Sequence, residues 1–332
     1  MADPERRRGA TWLGDLPVPL LLYRGSLSVE FLRPDFRSVL LQTQPYETDV
    51  MRPNRPSQTA SAAAFLRAAQ QGLPEADRIL QDPFASQMLI SGVARRMANR
   101  RWVGRLIDGW QPGAIDVIAI RDRFSDDHAR KVLQHGGQLA MLGAGLDTMP
   151  WRLRDLLDRV TVFEVDVPST QQHRLQLIAR NQLPPIESPL VRVAMNFETE
   201  SVATRLRDAG LKSDLPTLIN WMGVSYYLDE PAIAALLRDV RTLTNPQSVL
   251  VFDFIQPPRE VKQVSGWFRR VGEPLKYFLR PEEFPEFAAR HHFEVVELIS
   301  FDHLAARYST RNRVTKAPMF AAAIRPLAGG PT

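Results

Sequence analysis

Leu139-Ala140-Met141-Leu142-Gly143-Ala144-Gly145-Leu146-Asp147 is a short apolar run that breaks at two glycines. Such a run predicts a buried strand, and glycines directly after it permit a tight turn where a ligand can approach the backbone. The next apolar run, Val162-Phe163-Glu164-Val165-Asp166, ends in an acid. Its place, about 20 residues on, is where nucleoside-binding folds put a carboxylate that accepts both ribose hydroxyls.

Outward from this pair the same rhythm continues. Strands are expected at 138–142, 160–165, 190–195, 217–221 and 248–254, with helices near 149–157, 168–181, 199–209 and 230–243 between them. Strands that alternate with helices predict a parallel sheet covered on both faces, because parallel neighbours need a long crossover. Further helices are expected at 258–270 and 281–290, then strands at 293–301 and 318–324. No helix is read between these last two, so they are expected to pair as an antiparallel hairpin at the sheet edge.

Before Gly136-Gly137 the pattern is helical: Thr59 is the expected cap of an alanine-rich run to Gln71, and helical spacing covers 84–109 and 114–134. Residues 1–57 have no sustained period and hold seven of the 26 prolines. They read as an extended or disordered leader. Met51 opens a stretch that looks like a natural start, so the first fifty residues are read either as the product of an upstream start or as a floppy extension. The division expected is a leader at 1–57, a helical lid at 58–135, an α/β domain at 136–326 and a tail at 327–332.

Composition removes several classes. The chain of 332 residues has 44% hydrophobic and 24% charged residues, near the globular average. The net charge is +5 and the pI about 9.7, but the arginines are scattered among acids, where a phosphate-tracking surface needs one sign. No nucleic-acid partner is expected. No run of 18 apolar residues exists to span a membrane, so none is expected as a partner, and a cytoplasmic location is the expectation. There is no cysteine, and the six histidines lack metal-ligand spacing, so no metal is expected. Ser225 in Gly223-Val224-Ser225 lacks the nucleophile-elbow pattern of a serine hydrolase.

Two cofactor classes share the glycine-plus-acid geometry, nicotinamide dinucleotides and S-adenosyl-L-methionine. A dinucleotide usually needs a third glycine where its pyrophosphate meets the helix, and here Thr148 stands at that place. A methyl donor has no pyrophosphate, so the residues lean towards it.

Ordered motifs then carry a resemblance. Met141 to Thr148, Trp151-Arg152-Leu153, Phe163 to Thr170, Trp221 to Leu228 and Val251 to Phe254 together resemble the leucine carboxyl methyltransferase family, and its bacterial branch above all. Asp82-Pro83-Phe84-Ala85 and Arg121 to Asp127 are similar to its helical front end, so the likeness runs from about Gln58 to Ile324. The resemblance implies a Rossmann-like, seven-stranded class I methyltransferase sheet with the last strand pair antiparallel and an N-terminal helical lid. It implies that Gly143, Ala144 and Gly145 line the methionine part of S-adenosyl-L-methionine and that Asp166 holds the ribose. Asn196 and Phe197 would stand at the adenine, where the family has Asp-Leu. Arg121 and Arg67 would meet the cofactor's carboxylate; a surface ion pair is the other reading of Arg121, Arg67 and Arg123 alike.

The chain departs from the family at two places. Met222 stands where the family has an acid, and Met149 where it has an arginine. The expected reaction is methyl transfer, at oxygen, to a small molecule or a carboxylate. Tyr226 and Tyr227 follow the fourth strand, at the sheet edge where ligands bind, and are candidates to touch substrate; core packing is their other reading. No catalytic residue is assigned. The rivals are an idle S-adenosyl-L-methionine-binding protein on the same fold, motivated by the two methionines, and an NAD(P)-dependent oxidoreductase. The acceptor and the oligomeric state are not legible.

Overall fold

The structure, a computed structural model, describes residues 57–110, 113–257, 275–309, 311 and 318–328. The leader expected at 1–57, apart from Ser57, and the helix expected at 258–270, lie outside the described residues, as do 329–332 of the expected tail.

Seven strands follow the expected places: β1 (Gly137–Leu142), β2 (Val160–Asp166), β3 (Leu190–Ala194), β4 (Thr217–Trp221), β5 (Val249–Ile255), β6 (Phe293–Ser300) and β7 (Met319–Pro326). They form one sheet in the order β3-β2-β1-β4-β5-β7-β6. The pairs β3/β2, β2/β1, β1/β4 and β4/β5 are parallel, and β7 runs antiparallel to β5 and to β6. Chain order reverses between β1 and β4, and open α/β sheets bind ligands at the carboxyl ends of the strands at such a switch.

The helices in chain order are α1 (Gln58–Gln70), α2 (Gly92–Met97), α3 (Arg101–Trp110), α4 (Ala114–Val132), α5 (Met149–Arg152), α6 (Pro168–Arg180), α7 (Val202–Asp208), α8 (Glu230–Leu243), α9 (Phe284–Arg290) and α10 (Phe301–Tyr308). Alternation along β1 sends side chains to opposite faces. Leu139 and Met141 share an apolar cluster with Ala119, Ile120 and Phe124 of α4 and with Phe301 and Leu304 of α10. Ala140 and Leu142 belong to the other face, with Ile233, Leu236 and Leu237 of α8 and Phe284 of α9. A third cluster joins Ala64, Phe65 and Ala68 of α1 to Ile107 of α3, Leu146 of the glycine loop and Trp151.

Four local expectations are corrected. The β6–β7 connection contains α10: Phe301, Leu304, Ala305 and Tyr308 have helical spacing, and Ser300 caps it by accepting a hydrogen bond from His303 N at 3.3 Å. The antiparallel pairing survives the extra helix. The run at 84–109 breaks into a short turn at Ala85–Met88 followed by α2 and α3, because Ser91 restarts the helix by accepting from Ala94 N. The helix expected at 149–157 ends at Arg152, with only a single 3-10 turn at Leu157–Arg159 beyond it. The cap of α1 is Ser57, whose Oγ accepts from Ala60 N at 3.0 Å, while the Thr59 hydroxyl bonds to that same Ser57 oxygen.

Candidate functional site

The loop after β1 is built by backbone bonds. Gly143 N and Ala144 N both donate to Val165 O of β2, at 2.8 and 3.0 Å. Gly143 has φ +79°, and a Cβ there would lie 2.4 Å from Val224 Cγ2. Only glycine fits both the conformation and the space. Gly143→Ala is expected to cost about 2–4 kcal/mol from left-handed strain and overlap together, read as a lower midpoint in urea unfolding.

Asp166 turns back onto this loop. Its Oδ2 accepts from Gly145 N at 2.5 Å and its Oδ1 from Val167 N at 2.7 Å. Burial pushes its carboxyl up to about 6, and the two N–H donors only partly oppose that. Gly143, Ala144, Gly145 and Asp166 therefore form one cradle at the carboxyl ends of β1 and β2.

The front-end helices are clamped to the cradle by buried charges. Arg67 of α1, 2% exposed, donates from Nε to Asp122 Oδ2 at 2.6 Å and from Nη1 to Leu146 O at 3.1 Å, with Nη2 3.8 Å from Asp147 Oδ1. Arg152 donates from Nη1 to Asp147 Oδ1 at 2.6 Å and from Nε and Nη2 to both oxygens of Asp126, at 2.8 and 2.9 Å. The Thr148 hydroxyl donates to Asp82 Oδ2. Against the upward push of burial, Arg152 and Arg67 hold Asp147 well below the usual carboxylate range. From the other side Arg174 of α6 donates to Gly145 O at 3.2 Å and Asp147 O at 2.6 Å, and pairs with Glu164 Oε1 at 2.5 Å. Every nitrogen of Arg67 thus faces an acceptor of the chain itself.

Arg121 is placed differently. Its nearest described ion pair is Asp122 Oδ1, at a long 3.4 Å from Nε, and its Nη1 would sit 2.5 Å from a Cβ on Gly223. Gly223, with φ +78°, stands two residues past the end of β4 and makes room for the guanidinium. On the next strand, Asp253 accepts from Gly223 N through Oδ1 at 2.6 Å, while its fully buried Oδ2 has no hydrogen-bond partner. Burial works against the charge of both groups. Asp122 and Asp253 nevertheless raise the Arg121 pKa above its ordinary value, whereas Asp253, despite Arg121, is raised as well. A cation and an acid that form no ion pair with each other therefore flank Gly223.

The leucine carboxyl methyltransferase family matches residues 60–241, more than half of the chain. The chain belongs to that family. A relative from Mycobacterium avium, named "Putative S-adenosyl-L-methionine-dependent methyltransferase", is 30% identical over 59% of this chain and 66% of its own length. One of the same name from Bacillus subtilis is 30% identical over 51% of this chain and 56% of its own. The chain thus spans just under two thirds of the Mycobacterium avium relative and a little over half of the Bacillus one. Among solved structures, "a putative methyltransferase" from Thermobifida fusca superposes with a TM-score of 0.53 at 16% identity, covering 83% of this chain and 96% of that one. A DUF574 family protein from Streptomyces avermitilis gives 0.54 at 14%, covering 83% and 100%. At such identity these two speak for the fold alone.

Where this member departs from the leucine carboxyl methyltransferase pattern, the structure gives the surroundings. Met149 is fully buried, and its sulfur accepts a hydrogen bond from Asn220 Nδ2 at 3.3 Å. The charged tie to the front end is made one helical turn later, by Arg152. Met222 lies in the same apolar cluster as Met149 and Met141. An acid does reach that turn from the neighbouring strand: Asp253 of β5 accepts from Gly223 N.

The remaining candidates are spread around the same edge. Asn196 is exposed just beyond β3, its side-chain oxygen accepting from Glu198 N at 2.9 Å, with Phe197 half-buried against the core. Met195 N, one residue earlier, donates to Asp166 O, which sets this turn beside the cradle. Tyr226 and Tyr227 are buried, edge to face with ring centroids 4.7 Å apart, in a cluster with Ile255. Arg123 pairs with Asp127 on the surface at 2.8 Å, away from the cradle.

Sequence reasoning passed over Arg152, Arg174, Asp82, Asp147 and Asp253. One signal was available for the clamp: Ile115, Ala119, Asp122, Asp126 and Ala129 lie on one buried stripe of α4. Two carboxylates within an apolar stripe demand buried cations.

Proposed function

We propose that this chain is an S-adenosyl-L-methionine-dependent methyltransferase that acts at an oxygen of a small molecule or a carboxylate. The observation that carries the reading is that Arg121, paired with Asp122 through Nε alone, and Asp253, whose Oδ2 has no hydrogen-bond partner, stand either side of Gly223 without pairing with each other, next to the Gly143–Gly145 cradle. An α-amino-acid zwitterion offers a carboxylate to the first and an ammonium to the second, with charge assistance in both contacts. A nicotinamide dinucleotide has phosphate oxygens for an arginine but no ammonium for Asp253. The orphaned Asp253 oxygen and the close backbone at Gly143 are the features that fit the methionine half of the donor.

Asp166 would receive the ribose hydroxyls, exchanging its bond from Gly145 N for theirs. Asn196 and Phe197 would flank the adenine. Asp253 supplies the acid that Met222 does not, and Arg121 orients the carboxylate. When bound, the sulfonium provides an electrophilic methyl group that an acceptor oxygen displaces in line. The chain's own task is positioning and exclusion of water. Ala60, in the first turn of α1, lies 3.4 Å from where a Gly145 Cβ would stand, so the front end covers the cradle as a lid. A carboxylate acceptor needs no base, whereas a phenol or alcohol must lose a proton. Tyr226 and Tyr227 would stand on the acceptor side.

Calorimetric titration tests the reading. Heat on adding S-adenosyl-L-methionine and none on adding NAD or NADP is expected; the reverse would replace it with an oxidoreductase. Asp253→Asn is expected to weaken binding by about 30-fold or more, the range for losing one partner of a buried charge pair. An analogue without the α-amino group should bind wild type and Asp253→Asn equally. A difference of the wild-type size with that analogue would remove Asp253 from this role.

A further inference from the structure

The front-end helices carry a face that the cofactor site does not use. From Pro83 to Ile107 the sequence has no acidic residue and five arginines, at 95, 96, 100, 101 and 105. None of the five forms a salt bridge with a described residue; Arg95 and Arg100 donate only to backbone carbonyls nearby. The same stretch holds Ile90, Val93, Met97, Trp102 and Leu106, exposed by 50, 45, 38, 52 and 52%. These are half of the ten large apolar side chains so exposed among the described residues.

Helix α3 shows how the face is made. Val103 and Ile107 point into the core, while Trp102 and Leu106, one turn apart, point out beside Arg101 and Arg105. The helix therefore has apolar residues on both sides, and only one side is packed. Exposed apolar patches of this kind mark interaction sites.

We propose that α2, α3 and the turn between them dock on an anionic phospholipid surface. Arginines beside a tryptophan and aliphatic residues on an exposed helix face suit a bilayer interface, where headgroup phosphates meet the guanidinium groups and the rings and aliphatic chains enter the acyl boundary. A second copy of the chain fits less well, because a symmetric contact would set five arginines against five. The expectation of no membrane partner rested on the lack of a spanning run. Among the described residues no helix is long and apolar enough to cross a bilayer, and a helix lying in the interface needs no such length.

The test uses the full chain with sedimenting vesicles of phosphatidylcholine alone or with about 30% phosphatidylglycerol. Binding to the anionic vesicles at least about tenfold tighter than to neutral ones is expected, weakening as salt rises to about 0.5 M. Trp102→Ser/Leu106→Ser and Arg100→Glu/Arg101→Glu should each lose about tenfold or more in vesicle affinity, with thermal midpoint and S-adenosyl-L-methionine titration unchanged. No vesicle binding, binding indifferent to lipid charge, or binding kept by the Trp102→Ser/Leu106→Ser variant would each overturn the proposal. So would a dimer in light scattering that this variant dissolves, or an acidic protein crosslinked at Trp102 by a chain that ignores vesicles.

Discussion

Replacing Arg67 by methionine is expected to cost about 3–5 kcal/mol of folding stability, because it leaves buried carboxylates without their partner. Asp122 is almost fully buried, and after the change its remaining cation is Arg121 at 3.4 Å. Leu146 O and Asp147 lose a donor and a charge at the same time. Urea unfolding of Arg67→Met, followed by tryptophan fluorescence, reads the loss. The double variant Arg67→Met/Asp122→Leu should recover part of it, since replacing a whole buried pair by apolar side chains costs less than removing one member. If Arg67→Met instead melts like wild type and only binds the methyl donor more weakly, Arg67 is a cofactor ligand and not a clamp.

The second large effect is on binding. Asp166→Asn is expected to weaken S-adenosyl-L-methionine by about 100-fold, as two hydroxyl bonds to a charged acceptor become bonds to a neutral amide that accepts at only one atom. The pH dependence follows from a carboxyl pushed up to about 6 by burial. Only the ionised form accepts at both oxygens, so wild-type affinity should be flat above about pH 7 and fall about tenfold per unit below 6, while Asp166→Asn stays level. For stability the sign is the reverse of a salt-bridged acid. The folded-state pKa, about 6, lies above the ordinary 3.8, so in this window the folded chain binds more protons than the unfolded one. The group's contribution to stability is most favourable below about pH 4 and declines as pH rises through 6. A residue held at a cost to the fold is what a ligand-binding carboxylate in a dry cradle entails. An affinity profile with no step near pH 6 would remove Asp166 from the ribose.

The sheet was legible because its signal is local. Each strand is a short run bounded by turn residues, and the crossover helices have their own period, so β1 to β5 fell within a residue or so of their expected places. Edges and joints were less so. Helix α10 follows β6 with no break, and at Ser300 one side chain decides whether the chain stays extended or turns helical. The split at 84–109 has the same origin at Ser91.

By itself the sequence determined the α/β class, the order of elements, the glycine turn after β1 and the acid at the end of β2. Each of these depends on residues within a few positions of one another. Tertiary structure alone decided which charges meet. Arg67 and Asp122 are 55 residues apart, and Gly223 and Asp253 are 30 apart. No local pattern says whether a given arginine will find a carboxylate of the chain or be left for a ligand. That depends on where packing brings α1 and α4 over the cradle. There Arg67 is fully engaged, while Arg121, half-buried, and Asp253, buried, are left without each other.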